Sequence, residues 1–341
     1  IGHTRMVAWP HMAQLDFLAV GDIVTEPFIR LKEAEIVHPD TGDAKLVMRY
    51  GDKIPYDFAV LARAVGNASN AAVAAARLGL SSGLRAYVGD DEYGSENLKV
   101  LEAEGVSTEF MVTEAGKSSN YHYVLWYEND RTILVKHEEY TYELPEIAEP
   151  PKWVYLSSLA ANTLPYHLAW HRWLMENPEV KLAFQPGTFQ MKLGTTDLAP
   201  LYARSDVFVV NREEAARILS LPSDDIRPLI DGLHALGPKT VIVTDNTNGA
   251  YASDGTNAYH VPMYPDQPKA YERTGAGDAF ASTFTAALAL GKSFDEALLW
   301  APINSMAVVQ KVGAQAGLLT RQELEKYLAD APATYKVEPI S

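Results

Sequence analysis

The stretch Glu272-Arg273-Thr274-Gly275-Ala276-Gly277-Asp278-Ala279-Phe280 sets a small-residue loop directly ahead of an apolar run, with a carboxylate where the predicted helix begins. Gly275-Ala276-Gly277 offers almost no side chain to hold a ligand away from the backbone. Its N–H groups can converge on an anion, and a helix N-terminus adds partial positive charge there. Asp278 would stand beside that anion. A carboxylate repels a phosphate, so it makes better sense as a base that takes a proton from a hydroxyl attacking the phosphorus. The chemistry expected is phosphoryl transfer from a nucleotide to an alcohol. Taken alone, these residues also fit a plain turn and helix cap.

Other segments carry polar groups at useful spacings. Asn211-Arg212-Glu213-Glu214 follows an apolar run, at the strand end where open α/β sheets bind ligands. Asn211 and Glu214 would face one side of a helix start. The pair reads either as oxygens holding the water shell of Mg²⁺ or as a helix cap with surface acids. Thr244-Asp245-Asn246-Thr247-Asn248-Gly249 reads as a phosphate-handling loop or as a hairpin turn. Val65-Gly66-Asn67-Ala68-Ser69-Asn70 brings amides to the start of an Ala-rich helix, to meet a polyol or to cap the helix. Arg131 begins a predicted strand and is either an exposed strand residue or a contact to a phosphate on the acceptor.

Elements of two kinds must position these residues. Leu15–Asp22 reads as a buried strand ending in a Gly turn. Trp153–Leu156, Val180–Phe184, Asp206–Val210 and Thr240–Thr244 are short β-branched or aromatic runs. Helical segments at roughly 166–176, 197–203, 212–220 and 225–236 lie among them, and longer helices follow near 278–290, 294–311 and 320–329. Earlier helices are expected at 70–78 and 96–104. This alternation predicts an α/β fold with a doubly wound, mainly parallel sheet flanked by helices. Two hairpins break the rhythm, one at 33–50 around Pro39–Asp43 and one pairing 120–127 with 131–136. They are expected to form a small β-sheet lid. The division expected is an α/β core of 12–32, 58–117 and 145–331, with a lid of 33–57 and 118–144. Residues 1–11 read as vector-derived, with the natural chain starting at Met12.

Composition limits the alternatives. The chain has 341 residues and a formal charge of −15, from 29 Lys and Arg against 44 Asp and Glu. That balance argues against a nucleic-acid polymer as partner. It leaves room for a small phosphorylated ligand, because backbone dipoles and Mg²⁺ can build a local anion site. Cysteine is absent, which excludes disulfides and thiolate metal sites. No apolar run is long enough to span a membrane, and a cytoplasmic location is expected. His167 and His171 lie four apart but lack a third ligand, so they read as helix residues rather than a zinc site.

Taken in order, these segments resemble the ribokinase-like (PfkB) carbohydrate kinase family. The resemblance runs from Leu15 to Leu328. It includes Gly66-Asn67…Asn70, Val88-Gly89-Asp90-Asp91…Gly94, Asn211…Glu214, the Val243-Thr244 loop and Thr274-Gly275-Ala276-Gly277-Asp278. It implies that Asp278 is the catalytic base, with the N–H groups from Gly275 through Ala276 and Gly277 to Asp278 stabilising the transferred phosphoryl group. It implies ATP and Mg²⁺, with Asn211 and Glu214 organising the metal. Thr244, Asn246 and Gly249 would lie near the nucleotide, and Asn304 near its adenine or ribose. Glu26, Gly66, Asn67 and Asn70 would face the acceptor, and a homodimer through the lid is implied. Some relatives hold a monovalent cation such as K⁺ in the area where this chain has Glu272-Arg273 in place of the family's usual Asp-Thr. The acceptor expected first is a free sugar. A nucleoside comes second, its base stacked on Tyr121, Tyr123, Trp126 or Tyr127. A sugar phosphate comes third, if Arg131, Lys136 or Lys53 converge on the pocket. A non-catalytic sensor of sugar or nucleotide is a minor alternative.

Overall fold

Successive residues of the first strand, Phe17–Val20, face opposite sides of a sheet. Phe17 and Ala19 enter one apolar layer, and Leu18 and Val20 the other. Val207 to Val210 repeat the alternation. This is the period-two signature of a strand buried on both faces. In the computed structural model, which describes residues 14–39, 44–128, 130–222, 224–265 and 270–340, such strands build a nine-stranded sheet. Ser82–Arg85, Phe17–Val20, Trp153–Leu156, Lys181–Phe184, Val207–Asn211 and Thr240–Thr244 run parallel in that spatial order. The expected residues 1–11, the start at Met12 and most of the turn at 39–43 lie outside the described residues.

One apolar layer joins the sheet to the helices Asn67–Arg77, Ala276–Ala289 and Phe294–Val308. The other joins it to Leu164–Glu176, Ala199–Arg204, Arg212–Leu219 and Ile226–Ala235. Helices thus cover both faces, as strand–helix alternation requires. The sequence reading missed the sheet's far edge. Ala250–Ser253, Ala258–Val261 and Glu338–Ile340 extend it antiparallel. Their sequences, Ala-Tyr-Ala-Ser, Ala-Tyr-His-Val and Glu-Pro-Ile, hold few β-branched residues, so no strand signal marks them.

A second sheet of four strands stands beside the first. Its order is Asp130–Leu134, Tyr123–Tyr127, Val24–Leu31 and Tyr56–Val65. The expected hairpin at 120–136 is present here. The hairpin at 33–50 forms a separate two-stranded sheet of Glu35–Val37 and Lys45–Val47. The main strands come instead from 24–31 and 56–65, which the sequence reading had placed largely in the core. Only Gly21, Asp22 and Ile23 separate Val24–Leu31 from the core strand before it, so no conspicuous loop marks the passage between sheets. Among the described residues, no helix is long and apolar enough to cross a membrane.

Candidate active site

The helix Asn67–Arg77 places two amides on one face. Gly66, not an asparagine, stands at its N-cap, with φ of 115°. A Cβ there would lie 2.8 Å from the carbonyl oxygen of Asp22, so only glycine suits both the angle and the approach. Asn67 is therefore the first helical residue, and its side chain is free to reach across to the helix Ala276–Ala289. Asn67 Nδ2 donates to Asp278 Oδ1 at 2.9 Å, and Asn70 Nδ2 donates to Oδ2 at 2.8 Å. The Ala-rich sequence of the first helix and the small residues of the second allow this close pairing.

Gly275 caps the second helix in the left-handed conformation, φ 84°. A Cβ on it would lie 2.6 Å from Ala314 Cα. No side chain caps this helix, and the N–H groups of Gly277 and Asp278 have no protein acceptor among the described residues. A Cβ on Gly277 would meet nothing within 4 Å. The loop therefore presents bare backbone donors to open space, as the sequence had suggested.

That space is a cavity of about 290 Å³. It gathers Gly275, Ala276, Gly277 and Asp278 with Asn211, Glu214 and Thr244 on the core side. Glu26, Gly66, Asn67, Asn70 and Arg131 complete it on the side of the smaller sheet. Burial raises the pKa of Asp278. Hydrogen bonds from Asn70 and Gln185 oppose that rise, the charge of Glu26 adds to it and that of Arg131 counters it. Glu26 is itself buried, and its Oε1 lies 3.3 Å from Nδ1 of His122.

Asn211 and Glu214 form a reciprocal cap. The Glu214 N–H donates to Asn211 Oδ1 at 2.8 Å, and the Asn211 N–H donates to Glu214 Oε2 at 2.9 Å. The helix-cap reading is thus correct locally, yet both residues line the cavity. Burial also raises the pKa of Glu214. No cluster of three or more His, Cys, Asp or Glu suited to a metal occurs among the described residues.

Three sequence-selected residues stand outside the cavity wall. Asn246 is exposed, in a short 3-10 turn. Gly249 follows at φ 89°, packed so closely on the Val261 carbonyl that a Cβ would collide with it. Asn304 is fully buried. Its Nδ2 donates to Thr283 Oγ1 at 2.8 Å, and its Oδ1 accepts the Leu319 N–H at 2.9 Å. The aromatic candidates also lie elsewhere. Trp126 is buried beneath the Arg30 guanidinium, 4.4 Å from its ring centroid. Tyr121, Tyr123 and Lys136 line a different hollow, beside Tyr93. His167 is wholly buried, with Nδ1 2.7 Å from the Thr163 carbonyl.

Sequence reasoning missed Gln185, whose Nε2 donates to Asp278 Oδ1 at 3.2 Å. Its signal was available: a polar residue directly after the strand Lys181–Phe184, at the carboxyl edge of a parallel sheet. Arg273 and Ile133 also line the cavity.

A family model described as pfkB family carbohydrate kinase matches residues 43–321. The chain is a PfkB-family carbohydrate kinase. This kinase is 29% identical to the ribokinase of Bacillus subtilis (strain 168) over 273 residues, covering 77% of this chain and 87% of that one. It is 26% identical to a nucleoside kinase of Methanothermobacter thermautotrophicus over 310 residues, 89% of this chain and 92% of the relative. Its fold superposes on Arabidopsis thaliana ribokinase, solved with ribose and ATP. The TM-score is 0.77 at 18% identity, over 92% of this chain and 99% of that structure. The catalysed reaction is transfer of a phosphoryl group to a hydroxyl, and the fold is ribokinase-like.

Proposed function

We propose that this kinase moves the γ-phosphoryl group of ATP to a hydroxyl of a small free sugar. Asp278 is the general base, and the backbone from Gly275 to Asp278 is the anion hole. The observation that carries this is the sharing of one cavity by Asp278 and the uncapped N–H groups of Gly277 and Asp278. A hydroxyl entering from the Glu26 side meets the carboxylate. A phosphate entering from the Thr244 side meets the helix terminus.

The acceptor oxygen gives its proton to Asp278 and bonds to the γ-phosphorus. The bond from that phosphorus to the β,γ-bridging oxygen breaks, and ADP leaves. The fixed N–H donors match charge on the transferring group without reorganising. The four-stranded sheet acts as the lid that excludes water, the competing acceptor. Asn211 and Glu214 fit Mg²⁺ held through its water shell, since this cation takes few protein ligands and relies on phosphate and water oxygens; bound there, it would neutralise phosphate charge. Glu272 fits a monovalent cation such as K⁺: the residue is buried, and its Oε2 has no partner among the described residues. A homodimer through the outer face of the lid, where Val60, Leu61 and Tyr123 are exposed, belongs to the same reading.

The carboxylate and amides of the acceptor wall suit a polyol better than a nucleobase, because among the described residues no aromatic ring lines this cavity. Arg131 favours a second reading. It lines the cavity from the lid, where Lys136 and Lys53 do not, and would suit a sugar phosphate. An ADP-release assay with Mg·ATP against free sugars, sugar acids, nucleosides and sugar phosphates decides among them. Turnover with a neutral sugar is expected. Turnover confined to nucleosides or to phosphorylated sugars would overturn the first choice, and binding of ATP without any turnover would point to a sensor.

A further inference from the structure

We propose that Tyr155 and Gln185 form a positioning relay that presents an N–H to Asp278 Oδ1, leaving Oδ2 as the oxygen that takes the acceptor's proton. The inference rests on the reading of Asp278 as the base.

Tyr155 lies on the strand Trp153–Leu156 and is fully buried. Gln185 follows the neighbouring strand Lys181–Phe184, and its backbone N–H donates to the Leu156 carbonyl at 2.9 Å. The Tyr155 hydroxyl donates to Gln185 Oε1, and Gln185 Nε2 donates to Asp278 Oδ1. An ionised carboxylate can only accept, and an amide has one accepting and one donating end. The carboxylate therefore fixes the amide with Nε2 toward it, and the hydroxyl, which can donate or accept, donates to the Oε1 that remains. Burial raises the Tyr155 pKa, with a further rise from the charge of Asp278, so the phenol keeps its proton.

A second arm does the same from the helix Asn67–Arg77, on the same side of the sheet. Gln315 Nε2 donates to the Ala64 carbonyl at 2.6 Å and to Asn70 Oδ1 at 3.1 Å. With its oxygen so engaged, Asn70 turns its Nδ2 to Asp278 Oδ2. Among the described residues, Asn67 and Gln185 both donate to Oδ1, whereas Asn70 alone donates to Oδ2. A carboxylate oxygen has two lone pairs, so Oδ1 is filled and Oδ2 retains one free. The charged groups acting on Asp278 are Glu26 and Arg131 from the lid, and Glu214 is coupled to it from the helix Arg212–Leu219. They set the background against which loss of one donor is read.

The test compares Tyr155→Phe, Gln185→Met, the double variant and Asp278→Asn. With the best acceptor from the panel, Gln185→Met is expected to lower kcat about tenfold and leave KM for ATP within about twofold. The acid limb of its kcat/KM profile should move up by about one pH unit, the equivalent of one charge-assisted hydrogen bond. Tyr155→Phe should move both in the same direction, and the double variant should be no worse than Gln185→Met. The carboxyl ¹³C signal of Asp278, assigned by its loss in Asp278→Asn, reports the same shift in the free enzyme without any acceptor. Should Tyr155→Phe fail to fold, Gln185→Met carries the comparison. An unmoved acid limb and carboxyl signal in Gln185→Met, or purely additive losses in the double variant, overturn the relay alone. Full turnover in Asp278→Asn overturns the base assignment and the relay with it.

Discussion

Asn70 donates to Asp278 Oδ2 at 2.8 Å, although 208 residues of chain separate them. That bond ties the acceptor wall to the helix that carries the anion loop. Removing the base while keeping its shape should therefore stop chemistry and leave the fold. Asp278→Asn is expected to lower kcat by roughly 10²–10⁴-fold, with a thermal midpoint within a few degrees of the parent. Near-normal turnover would refute the assignment.

The same carboxylate sets a pH limit. Burial raises its pKa above the ordinary aspartate value of about 3.9. As the proposed base it must be ionised, so the rate is expected to be full above the raised value and to fall as pH drops through it. A kcat/KM profile whose acid limb lies at or below pH 4 would contradict this.

Gly277 separates folding from function. A Cβ there meets nothing within 4 Å, and alanine favours a helix over glycine by about 1 kcal/mol. Gly277→Ala should be as stable as the parent or slightly more so. Its methyl would occupy the space in front of the free N–H groups, and turnover should fall at least tenfold. Calorimetry with the coupled assay reads both; loss of stability with normal turnover would be the opposite of what is expected.

Glu272 predicts a salt effect. Its Oε1 accepts the N–H and the hydroxyl of Thr274 at 2.9 and 2.7 Å, while Oε2 is buried alone. Exchanging Na⁺ for K⁺ should raise the rate of the parent severalfold and have little effect on Glu272→Gln. Equal response in both proteins would remove Glu272 from the cation site.

Asp206 predicts a stability effect remote from the cavity. It is buried and accepts from Lys239 at 2.8 Å, Arg204 at 3.0 Å and the Leu182 N–H at 2.9 Å. Burial alone would raise its pKa; the hydrogen bonds from Lys239 and Leu182 outweigh it, and the pKa is lowered. Its stabilisation is thus complete above the unfolded value near pH 4 and is lost as pH falls through the lower folded value. Asp206→Ala should lose about 3 kcal/mol at neutral pH and much less at an acid pH where the parent's carboxyl is protonated. Urea titrations at both pH values measure the difference.

The sheet and the anion loop were legible in the sequence because each rests on local chemistry. Runs such as Val207–Val210 are uninterrupted and β-branched or aromatic, and Gly275-Ala276-Gly277-Asp278 joins small residues to one acid. The lid strands were not. Val24–Leu31 leaves the core after three residues, and its pairing with Tyr56–Val65 depends on tertiary packing. Gln185 escaped notice because its role depends on Tyr155 in the next strand and Asp278 far along the chain. The internal partners of the Asn304 amide are likewise a fact of packing that spacing does not carry.

Glu26 and Arg131 stand on the smaller sheet, whereas Asn211 and Thr244 stand on the larger one and the anion loop opens the helix Ala276–Ala289 packed against it. The two halves meet where Gly66 lies against Asp22. On the proposed reading, Glu26 and Arg131 bear on the choice of alcohol from the smaller sheet, and Asn67 and Asn70 bear on it from the helix Asn67–Arg77. Substitutions in the strands 24–31 and 130–134 are then expected to change acceptor preference more than the handling of phosphate. For an engineer, those strands are the place to diversify, and the larger sheet is the part to hold constant.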